Sequence, residues 1–320
     1  LAYHSRVPHN QQSPEATMND IMHIQSISQI HRFLGLRPPK HPLISVMRLQ
    51  EEETNVAFNE TRIVIDLYSI AIKSGSSGAF SYGRNSYDFD EGTVVFLSPG
   101  QTVRFGENYA LPLGAGAWTV VFHPDLIRQS ELGQRMDGYS FFDYDINEAL
   151  HISEDERQIL HEIVNNIERE YMQNLDRHSQ DLVISNIKLL LDYCARYFDR
   201  QFYTRTNMNK DIVAQFERLL KDYYSSGRHM DQGIPSVAYC GEALGLSPKY
   251  LSDLLRKETG RNALEHIHFF VIEKAKLNLL NSEQTISQIA FGLGFEYSQH
   301  FSRLFKTKTG MSPREYRSLN

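Results

Sequence analysis

Cysteine is scarce here: only Cys194 and Cys240 occur in 320 residues, both on apolar faces of predicted helices. A disulfide framework needs more, so the chain suits a reducing, cytoplasmic compartment. No run of about 18 apolar residues is present, which excludes an ordinary membrane-spanning helix. The start of the chain lacks the basic-then-apolar pattern of a secretory leader. Its polar, proline-containing residues 1–20 read as a disordered lead-in, with Met18 or Met22 as a possible natural start. Histidine is absent between Ile63 and Phe122, with His41 and His123 only flanking that stretch. A three-ligand metal site of nitrogen and oxygen donors cannot be assembled from that inventory at convincing spacing.

Net positive charge is also lacking: 33 Lys+Arg face 39 Asp+Glu, a formal charge of −6. Taken whole, that disfavours a nucleic-acid partner. The distribution reverses it. From Ser247 onward there are 11 Lys+Arg and 7 Asp+Glu, so this end carries +4 and the remainder −10. An acidic first part joined to a basic last part fits a sensor coupled to a DNA reader.

What is present is an echo near the carboxyl end. Residues 251–260 (Leu-Ser-Asp-Leu-Leu-Arg-Lys-Glu-Thr-Gly) are answered by 301–310 (Phe-Ser-Arg-Leu-Phe-Lys-Thr-Lys-Thr-Gly). Each copy follows a short amphipathic stretch and a glycine turn: Val237, Cys240 and Leu244 before Gly245, then Ile286, Ile289 and Leu293 before Gly294. The i, i+3, i+7 spacing places each triplet on one helix face. Two short helices joined by such a turn form a helix-turn-helix, whose second helix enters the major groove. The duplication predicts two reading helices in one chain.

Upstream the period is that of strands. Ile63–Ile72, Thr93–Leu97 and Trp118–Phe122, punctuated by Gly75-Ser76-Ser77-Gly78 and Ser98-Pro99-Gly100, predict a small barrel or sandwich with jelly-roll rhythm. At Ser153 the period changes: Ser153 with Glu156 spells a capping box, and Ile159, Ile163, Ile167 and Tyr171 form the expected stripe. A second helix, about Gln180 to Phe198, carries more apolar surface than one partner requires, which implies burial on two sides. Polar residues 201–210 read as a linker, 211–320 as the second domain, and 21–200 as the first. The long stretch Ala263–Leu280 bridges the two units; about 18 residues at ~1.5 Å rise give roughly 27 Å, comparable to the ~34 Å of one DNA turn.

These residues resemble the AraC/XylS family of bacterial transcription regulators. Ile286-Ser287-Gln288-Ile289-Ala290, Gly294-Phe295, Phe301-Ser302-Arg303-Leu304-Phe305-Lys306, Gly310 and Ser312-Pro313-Arg314-Glu315-Tyr316-Arg317 follow its C-terminal signature, over roughly residues 211–320. The first part resembles the family's cupin-like sensor barrel with two dimerisation helices, more loosely. The resemblance implies an α+β, two-domain chain: a cupin-like β-barrel with dimerisation helices, then an all-α double helix-turn-helix. It implies a dimer bound to promoter DNA, a small-molecule effector, and RNA polymerase as partner if the protein activates; no enzyme activity, cofactor or metal is expected. The alternatives are a cupin-type metalloenzyme with a DNA-binding tail, and a regulator whose barrel only dimerises or binds a protein.

Apolar positions anchor each reading helix and their polar neighbours face the groove. In the second unit this selects Ser298, Gln299, Ser302, Arg303 and Lys306. Arg303 can fork to guanine and Gln299 to adenine, while Lys306 fits a phosphate clamp; a phosphate or structural role for Arg303 stays open. In the first unit it selects Lys249, Ser252, Asp253 and Arg256, where Asp253 either meets cytosine or a base-reading cation, or pairs with Lys249 or Lys257 along the helix. Ser236 and Thr285 are helix caps that could also present amides to phosphate. Tyr82, Arg84, Tyr87, Arg104 and Trp118 could line an effector pocket, since aromatic walls with few polar groups suit ligands, although ordinary packing explains each singly.

Overall fold

The computed structural model describes residues 21–48, 62–74, 92–104, 116–145, 148–173 and 178–318. Its β-branched runs pair into two sheets. Strands β1 (Met22–Ile24), β3 (Arg62–Ile65) and β6 (Gln101–Arg104) form one, in the order β1-β3-β6. Strands β2 (Ile44–Met47), β4 (Tyr68–Ser74), β5 (Gly92–Leu97), β7 (Trp118–Phe122) and β8 (Leu150–Ile152) form the other, in the order β2-β7-β4-β5-β8. All pairs in the larger sheet are antiparallel, with Ile70 opposite both Phe96 and Val120.

The larger sheet is buried on both faces, which is why Val94-Val95-Phe96-Leu97 is a continuous apolar run rather than an alternating one. One face, with Ile70, Val94, Phe96, Trp118 and Val120, packs on helices α4 (Glu154–Met172) and α5 (Ser179–Thr204). The other, with Met47, Val95, Leu97 and Val121, packs on the smaller sheet and on helix α1 (Ile27–Phe33). The expected cupin-like barrel is not borne out: among the described residues two open sheets are stacked and neither closes. Short helices α2 (Pro124–Ile127) and α3 (Glu131–Arg135), then a 3₁₀ turn at Ser140–Asp143, lead from β7 towards β8.

Helix α4 begins as its sequence demands. Ser153 Oγ accepts the Glu156 N–H, and Glu156 Oε2 accepts the Ser153 N–H at 3.0 Å. Its inward stripe is Leu160, Ile163, Val164, Ile167 and Tyr171. Ile159 faces outward instead, 36% exposed, because Leu160 takes the inward position one residue later. Leu182 and Leu189 of α5 are likewise exposed, on a side that no described element covers.

The expected linker at 201–210 is helical on both sides of Arg205: α5 runs to Thr204 and α6 (Thr206–Ser225) follows at once. The polar residues that read as linker are partners for buried polar groups. Gln201, 1% exposed, accepts the His151 N–H and donates to the Ala149 carbonyl. Asn209 donates to the Phe202 carbonyl and to Glu258. A helix whose polar groups are satisfied inside reads from sequence like a solvated connector.

Beyond α6 lie α7 (Arg228–Gln232), α8 (Val237–Leu244), α9 (Pro248–Thr259), α10 (Ala263–Asn281), α11 (Ile286–Gly292), α12 (Ser298–Thr309) and α13 (Pro313–Arg317). They enclose a core of Phe216, Leu220, Leu251, Leu255, Ile267, Val271, Ile289, Phe301 and Phe305. The bridging helix α10 is therefore the axis around which both units pack.

Candidate nucleic-acid interface

The sequence echo is an echo of geometry. In the first unit α8 ends at Gly245, left-handed at φ 68°, and α9 starts with Ser247 as cap and Pro248 in its first turn. In the second, α11 turns through Gly294, at φ 89°, into α12. A Cβ on Gly294 would lie 2.9 Å from the Gly233 carbonyl carbon and the His229 carbonyl oxygen, so this turn requires glycine for space as well as for conformation. Both reading helices stop alike. Gly260 and Gly310 are left-handed, and Thr259 and Thr309 donate to the Leu255 and Phe305 carbonyls at 2.7 and 2.8 Å. Each then feeds a capping box, Asn262 with Glu265 and Ser312 with Glu315.

Burial separates the anchored positions of α12 from the outward-facing ones. Phe301 and Phe305 are fully buried and Leu304 packs against the same core. On the opposite face of α12, Gln299, Arg303 and Lys306 are exposed, with Ser298 and Ser302 half-buried beside them. Arg303 and Gln299 use their side chains on no other described residue, leaving their donors available. The nearby Lys306 charge contributes to holding the exposed Glu315 carboxyl low, after the bonds from Ser312. Beside these lie two exposed residues that the sequence pattern did not select: His300 on α12 and Tyr297, its N-cap residue, 55% exposed. Tyr297 and His300 stack edge to face at 5.4 Å. His300 precedes the buried Phe301 by one position, the signal by which the helical period could have found it. Aromatic side chains beside a basic helix suit thymine methyls and sugar faces.

The first unit differs. Leu251, Leu254 and Leu255 anchor α9 as expected, Arg256 is exposed, and Lys249 and Ser252 are half-buried. Asp253 pairs with neither Lys249 nor Lys257. Its Oδ2 accepts the Tyr144 hydroxyl at 2.9 Å, and Lys257 bonds Asp199 at 2.6 Å. Burial, and then the Asp253 carboxylate, push the Tyr144 phenol far above its ordinary range. Tyr250 and Leu254 of α9 are buried in the core of the first part of the chain, where Tyr250 meets Tyr144 edge to face at 5.2 Å.

The helix caps do local work. Ser236 Oγ accepts the Tyr239 N–H at 3.1 Å, and Thr285 closes a capping box with Gln288. Of the pocket candidates, Tyr82, Arg84 and Tyr87 lie outside the described residues, and Arg104 is described only as backbone of β6. Trp118 is fully buried on β7, and its indole Nε1–H has no acceptor among the described residues. Among the described residues no cluster of three His, Cys, Asp or Glu could hold a metal, and no helix is long and apolar enough to cross a membrane.

The chain is similar in sequence to known helix-turn-helix proteins. The profile of a helix-turn-helix domain family matches residues 240–318. An uncharacterised HTH-type transcriptional regulator of Escherichia coli, YijO, is 25% identical over 232 residues, 71% of this chain and 78% of that protein. YobQ, an uncharacterised HTH-type transcriptional regulator of Bacillus subtilis, is 35% identical over 71 residues, 22% of this chain and 30% of that one. The solved C-terminal domain of the two-component response regulator YesN from Fusobacterium nucleatum is 30% identical; the match covers 32% of this chain and 96% of that domain, with a TM-score of 0.28.

Proposed function

We propose that this chain, a DNA-binding transcriptional regulator of the AraC type, grips promoter DNA by placing α9 and α12 in two successive major grooves. The observation that carries this reading is the division of α12. Phe301 and Phe305 are sealed in the core, while Gln299, Arg303 and Lys306 project together, with no competing partner among the described residues but the exposed Glu315 near Lys306. Arg303 forks to guanine, Gln299 reads adenine, Lys306 clamps phosphate, and Lys249, Ser252 and Arg256 form the weaker contact of the first unit. Ser298 and Ser302 add contacts beside them, and α10 fixes the separation of the two units.

In the same reading the first part of the chain is a small-molecule sensor and a homodimerisation unit. The exposed leucines of α5 support the second role, and the indole N–H of Trp118, without an acceptor among the described residues, supports a ligand bearing an acceptor. The protein acts in the cytoplasm, and as an activator it would contact RNA polymerase. Recovering genomic fragments retained by the purified chain tests the reading. The expected result is a shared bipartite motif that is lost with Arg303→Ala; fragments without any common motif would refute it.

A further inference from the structure

The first part of the chain grips α9 along one flank. Glu148 sits at its start, where Oε1 accepts the Ser247 backbone N–H at 2.7 Å and Oε2 accepts the Ser247 hydroxyl. One turn on, Tyr250 packs on Phe202 and Tyr144. Tyr144 then holds Asp253, Leu254 is buried in the same core, and Asp199 holds Lys257. Positions 247, 250, 253, 254 and 257 form one continuous stripe down the helix. On α12 the position equivalent to Asp253 is Arg303, which is exposed.

An α-helix with its side chains is about 10–12 Å across and the major groove about 12 Å wide, so a reading helix fills its groove. No second body fits along its side at that depth. The gripping groups also resemble DNA in chemistry. A carboxylate at the amino end of a helix, and another on its last-turn lysine, stand where phosphates would.

We propose that this contact is an autoinhibitory latch, with Tyr144, Glu148 and Asp199 holding α9 out of the groove until the first part of the chain lets go. The proposal rests on α9 being a groove helix, as argued above. With the latch closed only α12 is presented, so the chain binds DNA with one hand; with it open, both units engage. The segment that carries Tyr144 is tied to the sheet by Gln101, whose Nε2 donates to the Phe142 carbonyl, and to α5 by Tyr139, which donates to Asp192. A change inside the first part therefore has a physical route to the latch.

The test uses the full chain and a random-sequence duplex of about 30 base pairs, roughly three helical turns. Fluorescence anisotropy across a salt series would be read for wild type, Tyr144→Phe with Glu148→Gln, the same double variant with Arg256→Ala added, and Asp199→Asn. Hydrogen exchange at the α9 amides would be followed in parallel. The double variant is expected to bind about fivefold or more tightly, since freeing a sequestered reader raises its competent fraction. Its salt slope should steepen by about one or two as the first unit adds phosphate contacts, and the amides from Ser247 to Leu254 should exchange faster. Asp199→Asn, at an exposed site, should move affinity the same way and by less. Faster exchange without tighter binding would overturn the latch, and so would no change in either. A failure of the groove reading of α9 would show separately, as an added Arg256→Ala leaving the affinity and salt slope of the double variant unchanged.

Discussion

Glu148 and Ser247 meet across 99 residues of sequence, the carboxylate taking both donors of a residue that also caps a helix. Burial pushes the Glu148 carboxyl up, while the donors of Ser247 and the Asp145 N–H act against that. A buried acid with three donors is a specific joint, and breaking it by half leaves an unsatisfied group.

Ser247→Ala should therefore destabilise more than an ordinary cap. It removes the bond to the Tyr250 N–H and one of Glu148's donors, a cost of about 1–3 kcal/mol. Ser236→Ala, whose cap is exposed, should cost roughly 0.5–1 kcal/mol. Urea denaturation of both variants checks the order; equal losses would mean that Glu148 adds nothing.

On a motif recovered from genomic DNA, Arg303→Ala and Gln299→Ala should each weaken binding by about 1–3 kcal/mol and relax preference at one base. Lys306→Ala should weaken all sequences alike and lower the salt slope by about one. Titrations at several salt concentrations separate these effects. Unchanged binding in all three would remove α12 from the groove.

Much of the second domain was legible. The period of Phe301, Leu304 and Phe305 places Arg303 and Lys306 outward, and in the first domain Ser153 with Glu156 announces α4 by its capping chemistry. What escaped was decided by distant partners. Asp253 reads in sequence either as a contact to cytosine or a base-reading cation or as a helix-surface charge paired with Lys249 or Lys257, yet a tyrosine 109 positions away holds it. Gln201 and Asn209 looked like linker because nothing local shows that their amides serve buried backbone. Ile159 lost its inward place to Leu160, one residue along, a slip that a 3.6-residue period tolerates. Barrel closure is not confirmed among the described residues, since strand pattern specifies pairing but not whether the last edge meets the first.

Phe301→Ala should cost about 3–5 kcal/mol, because the ring is fully buried between Phe295 and Phe305. Gly294→Ala should also destabilise, through its φ of 89° and the backbone it would strike. Thermal melts of both variants check this. A melting temperature unchanged by Gly294→Ala would show that the turn can relax.

Both thiols should be inert in the folded chain. Burial pushes the Cys240 thiol up to about 11 and the Cys194 thiol higher still, so almost no thiolate exists near pH 8. Thiol reagents should modify neither residue until denaturant is added, then both. Rapid modification of Cys240 in native protein would mean that the core around α8 opens readily.

The central claim is that two helices held by α10 lie in neighbouring grooves on one face of the duplex, and half-site spacing tests it most directly. Inserting about five base pairs, half a helical turn, between the two halves of a recovered motif should abolish tight binding, and inserting about ten should restore part of it. Affinity indifferent to the five-base-pair insertion would contradict the account.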